Sequence, residues 1–123
     1  MTHSIDINGV LEAYSALTGN ETVDEQSALV CRGEAYTLCR LLRRDCDCIK
    51  EMPRLVYAAA CNAYYRRMLL EAADEADSFK AGDVTVTKNE AALGAARELA
   101  DRATAAISDL LVPRRFAFQG VSV

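Results

Sequence analysis

The amino-acid sequence predicts an all-α fold: a small bundle of about four helices, a short strand-like insert before the last helix, and an extended C-terminal tail. Three observations carry this. Half of the residues are hydrophobic (51%) but only 7% are aromatic, alanine dominates and there are two prolines, a balance that suits closely packed helices. Apolar residues recur at helical spacing in four separate stretches. Two of those stretches open with a threonine followed three residues later by glutamate, the spacing of a capping box. At 123 residues the chain is one domain, 1–123, large enough to bury roughly two-thirds of its unfolded surface without staples.

The first helix is expected over 5–18, with Ile7, Val10, Leu11, Tyr14 and Leu17 on one face and Gly19 closing it in a left-handed cap. Thr22 and Glu25 then start a second helix over 23–45. Ala28, Cys31, Ala35, Leu38, Cys39 and Leu42 point inward there, and Arg32, Glu34, Arg40 and Arg43 point outward. Asp45 to Lys50 breaks the pattern. Pro53 suits the first turn of a third helix, 53–76, where its missing N–H costs nothing. The run from Leu55 to Ala73 is apolar almost all round, which places this helix at the centre of the bundle and assigns Tyr57, Tyr64, Tyr65 and Met68 to core packing. Its end gathers Glu71, Asp74, Glu75 and Asp77 where the macrodipole favours positive charge, so this acidic face is either frayed or has a use elsewhere.

Ser78 to Asn89, SFKAGDVTVTKN, interrupts the helical pattern, and 78–87 is the expected insert. Val84 and Val86 alternate with Asp83, Thr85 and Thr87 as in an extended strand. A single strand cannot complete its own ladder, so the segment reads as an assembly device. Thr87 and Glu90 open a fourth helix, 88–111, with Leu93, Ala96, Ala100, Ala103, Ile107 and Leu110 inward. Arg97 with Asp101 and Glu98 with Arg102 mark its solvated side. Pro113 ends that helix and detaches a tail, 113–123, whose Phe116 and Phe118 give one side of an extended segment an apolar surface.

Catalysis finds few of its usual parts. His3 is the sole histidine and sits at the N-terminus, no Gly-rich phosphate loop occurs, and no G-x-S-x-G elbow occurs, so no catalytic residue and no cofactor are expected. Five cysteines, Cys31, Cys39, Cys46, Cys48 and Cys61, lack the paired knuckles of a zinc site and are expected to be reduced and metal-free. A net charge of −4 argues against a dedicated nucleic-acid binder, and the basic clumps at Arg40, Arg43 and Arg44, at Arg66 and Arg67, and at Arg114 and Arg115 read as solvated faces and helix ends. The N-terminus has neither the basic region nor the apolar core of a secretory signal, which predicts a cytosolic protein. The apolar run 55–65 falls well short of the ~20 residues that span a bilayer.

A short helix DINGVLEAYSALTG, two long helices, FKAGDVTVTKN, a final Ala-rich helix and a C-terminal FAF tail together form an order that resembles the small head-tail connector, or head-completion adaptor, proteins of tailed phages and prophages. The resemblance covers nearly the whole chain and rests mainly on FKAGDVTV running directly into the last helix. It implies a structural, non-enzymatic virion protein. Such a protein assembles with itself as a ring of roughly twelve subunits, a head-to-tail closed assembly, between the portal protein and a tail or head-closure protein. The expected setting is the host cytoplasm during assembly and the virion neck afterwards, with no membrane partner. On that reading Phe79, Lys80, Val84, Val86, Arg114, Arg115, Phe116 and Phe118 belong to the subunit or portal interface. Glu71, Asp74, Glu75 and Asp77 would face the lumen and repel DNA in passage through the channel. A second reading of the same surfaces is a non-catalytic cytosolic helical adaptor or regulator that binds a protein partner.

Overall fold

In the computed structural model four α-helices follow one another, α1 (Ile7–Thr18), α2 (Glu25–Leu41), α3 (Cys48–Ser78) and α4 (Asp83–Ala106), and a single 3-10 turn, Ser108–Leu110, closes the series. The structure describes residues 4–78 and 83–113, with 75–78 and 83–89 described as helix backbone alone. The all-α class and the four helices agree with the expectation from sequence. Phe79 and Lys80, the tail from Arg114 onward with Arg115, Phe116 and Phe118, and His3 lie outside the described residues.

Several helix ends have an identifiable cause and differ from the sequence reading. Asp6 caps α1, its carboxylate accepting the Asn8 N–H at 3.1 Å. Gly19 closes the helix at φ 78°, a left-handed conformation that favours glycine, and donates its N–H to the Ser15 carbonyl. The cap of α2 is Asp24, whose carboxylate accepts from the Ser27 N–H at 2.7 Å, and not Thr22. A carboxylate here brings a full charge to the positive helix end, which a hydroxyl does not. α2 stops at Leu41, short of 45, because the chain turns to pair with the segment after α4. The Arg43 N–H donates to the Leu110 carbonyl at 2.9 Å and the Val112 N–H to the Leu41 carbonyl at 2.8 Å, around an antiparallel bridge between Leu42 and Leu111. The same pairing ends α4 at Ala106 instead of 111. α3 starts at Cys48 with Asp47 capping it through the Lys50 N–H at 3.2 Å, so Pro53 sits inside the helix and not in its first turn.

The main correction concerns the insert. Val84, Thr85, Val86 and Thr87 are not a strand: they are helical, within the first turns of α4. β-branched residues disfavour a helix by only a few tenths of a kcal/mol each, and a long antiparallel neighbour together with a strong helix-forming continuation outweighs that. The Thr87–Glu90 spacing therefore falls inside a helix and does not mark its start.

α3 is the centre of the bundle. It packs against α1 and α2, which also touch each other, and against α4; among the described residues, α4 touches no element but α3 and the 3-10 turn. Val10, Cys31, Leu55, Cys61 and Ile107 are the largest fully buried side chains. Between them Ala58, Ala59, Ala60 and Ala63 of α3 and Ala96, Ala100 and Ala103 of α4 are buried, small residues that let the backbones approach. Among the described residues no helix is long and apolar enough to cross a membrane.

Candidate functional site

The geometry singles out one long feature. Arg66 of α3 pairs with Glu34 of α2; the Arg67 Nε donates to the Ser27 hydroxyl at 3.3 Å, near the start of α2, while Cys39, near its end, interacts with Cys48 at the start of α3, so α2 begins level with Arg67 and runs antiparallel to α3. α3 continues through 68–78, about 16 Å of helix at ~1.5 Å per residue. The register of α4 against it is fixed by the Asn62 amide donating to the Thr104 hydroxyl at 3.0 Å and by the Arg54–Asp109 ion pair at 2.9 Å. In that register the buried Ala96 lies against the part of α3 beyond Arg67. A two-helix arm thus projects past the α1–α2 pair.

The arm exposes both apolar and acidic groups. Leu69 and Leu70 are 40% and 48% exposed. Glu71 and Asp74 are exposed beside them, and Glu71 lies 3.7 Å from the Arg67 guanidinium. Of the expected lumen-facing carboxylates, Glu71 and Asp74 are therefore together on this surface, and Glu75 and Asp77 continue the same helix backbone. Val84 and Val86 belong to the other helix of the arm.

At the arm's base a polar knot joins three helices. The Tyr14 hydroxyl donates to the Ser27 hydroxyl at 3.1 Å, Arg67 reaches Ser27 and also donates to the Gln26 side chain at 3.0 Å, and the Tyr14 and Tyr64 rings meet edge-on at 6.5 Å. Hydrogen bonds from Ser27 hold the Asp24 carboxyl below its usual range, and Arg67 adds to this. Burial pushes the Tyr14 phenol up. A cleft of about 630 Å³ opens here, and among the described residues no buried side-chain nitrogen or oxygen lacks a partner, so the knot fastens α1, α2 and α3.

A second surface was not anticipated from sequence. Leu29 and Tyr36, on the outer side of α2, are 64% and 58% exposed, and the Arg40 guanidinium stands 5.8 Å from the Tyr36 ring centre. The signal was available: both residues lie off the inward stripe of α2, seven positions apart. Tyr57, assigned to the core, is 46% exposed. Glu34, assigned to the outer face, is half-buried and held by Arg66.

All five cysteines are thiols in no disulfide. Burial, followed by Glu34, pushes Cys31 up to about 11; burial, followed by the neighbouring Cys48, pushes Cys46 up to about 11. Both are protonated at neutral pH and so are weak nucleophiles. Among the described residues no group of three or more His, Cys, Asp or Glu side chains is placed to hold a metal ion. Compared with protein-family profiles, with curated proteins and with solved structures, the chain has no match.

Proposed function

We propose that this protein is a structural assembly subunit of the head-tail connector kind, without catalytic activity, that forms a ring with copies of itself between a portal protein and a tail or head-closure protein. The observation that supports this reading best is the α3–α4 arm. It overhangs the α1–α2 pair and leaves Leu69 and Leu70 exposed on a helix, where a subunit that worked alone would bury or replace them. An arm on one side and a body on the other supply two different patches, as a heterologous ring contact requires. The connection bearing Phe79 and Lys80 and the tail bearing Arg114, Arg115, Phe116 and Phe118 add contacts to neighbours or portal. Glu71, Asp74, Glu75 and Asp77 form an acidic stretch that repels DNA in passage. Assembly takes place in the host cytoplasm and the product resides in the virion neck.

The test is compositional. Particles purified after induction or infection and digested for peptide mass spectrometry should contain this chain at a fixed ratio to the portal protein. Its absence from particles, while it is abundant in the cell lysate, would contradict the proposal and favour the reading as a cytosolic adaptor.

A further inference from the structure

We infer that the outer face of α2 is the receptor for the α3–α4 arm of a second copy of this chain, an inference that rests on the self-association proposed above. The inner side of α2 is closed by Ser27, Cys31, Ala35 and Leu38, all buried. On the opposite side Leu29, Arg32, Gly33, Tyr36 and Arg40 follow one another at helical spacing, and all five are exposed. Among the described residues no element of the same subunit covers them. Glu25, in the first turn, is the one acidic residue on this face of α2, so the stripe is apolar and basic. Gly33 leaves a dip between Leu29 and Tyr36: a Cβ added there meets nothing within 4 Å in its own subunit. A mid-helix glycine weakens the helix, and nothing in this subunit's packing requires it, whereas a close-approaching neighbour would.

The arm carries the complement. Arg66 and Arg67 mark the side of α3 that α2 covers, through Glu34 and Ser27. One turn further on, next to the cleft that Met68 and Glu71 share with the α1–α2 connection, the helix presents Leu70 at 48% exposure followed by Asp74. An α2 stripe from a second copy continues there the packing that the subunit's own α2 begins: Leu70 enters the dip at Gly33 between Leu29 and Tyr36, and Asp74 meets the arginines. Opposite charges face each other on apolar contacts, the arrangement that steers docking and fixes register. Receptor and arm are different patches, so each copy gives its arm to one neighbour and receives the arm of another.

Charge exchange tests this in the full-length chain by sedimentation over a concentration series. Arg32→Glu with Arg40→Glu turns the receptor acidic, and Leu70→Lys with Asp74→Lys turns the arm basic. All four positions are exposed, and thermal melts followed by circular dichroism check that each variant folds. The wild-type chain is expected to associate, each double variant alone to stay at the chain mass of 13.4 kDa, and an equimolar mixture to regain assemblies of wild-type size. Tyr36→Ala, which adds no charge, should weaken association by about tenfold and keeps the test open should a charge-exchanged chain fail to fold. Either double variant assembling like the wild type, or a folded mixture that stays monomeric, overturns the docking site alone. A wild-type chain that is monomeric at every concentration overturns the self-association and the docking site together.

Discussion

Asp24 shows how much a single side chain decides here. Its carboxylate caps α2 through the Ser27 N–H, and Ser27 in turn receives both Tyr14 and Arg67, so one short segment ties the start of α2 to α1 and α3. The hydrogen bonds hold the Asp24 carboxyl below its ordinary value, so its contribution to stability is present at neutral pH and is lost as pH falls through the lowered value. Asp24→Ala should therefore melt at lower temperature than the wild type near pH 7, and the difference should shrink towards zero as pH falls below about 3.9. A difference that persists unchanged in acid would mean that the cap does not act through its charge. The cysteines give a second prediction at this scale. Cys31 and Cys61 are buried, with their thiols raised by burial, and should be the last of the five alkylated by iodoacetamide at pH 7.5 under native conditions, as read by peptide mass spectrometry. Early labelling of either would contradict the packing around them.

Among the elements, α4 depends most on fit. Among the described elements it packs on α3 and the 3-10 turn alone, with Ala96, Ala100, Ala103 and Ile107 buried. Ala100→Leu should overpack that seam and cost about 1–3 kcal/mol in urea unfolding, whereas an unchanged midpoint would show that the two helices are loosely apposed. The inward stripes of all four helices were legible in sequence because burial imposes the 3.6-residue period directly. The ends were less so. Thr22 and Asp24 both look like caps, and only the position of Ser27 beside Tyr14 and Arg67 selects the second. The ends of α2 and α4 depend on a backbone pairing between Leu42 and Leu111, which is far apart in sequence and leaves no local signal. At Val84–Thr87 local alternation and β-branching argue for a strand, while the antiparallel helix beside them argues for the opposite, and tertiary context prevails. Backbone chemical shifts across Val84–Thr87 should accordingly be helical; extended values would restore the strand.

For the whole molecule, the arrangement carries the functional argument: a body of four helices, an α3–α4 arm that outruns the α1–α2 pair, exposed leucines and carboxylates on the arm, and an exposed aromatic and basic stripe on α2. The sequence reading took Val84–Thr87 for a strand-like insert, and the segment is helix. It missed the receptor stripe because an exposed Leu or Tyr, taken one at a time, is ordinary on any surface. Their helical spacing already aligned Leu29, Gly33 and Tyr36, and the structure adds that all three are exposed among the described residues. The central claim is that the chain completes a portal assembly, and native mass measurement of the portal protein before and after adding this chain tests it most directly. The account predicts a discrete gain equal to a whole-number multiple of 13.4 kDa, about twelve copies for a closed ring. A portal mass that does not change, with the added chain recovered as a 13.4 kDa monomer, would contradict it.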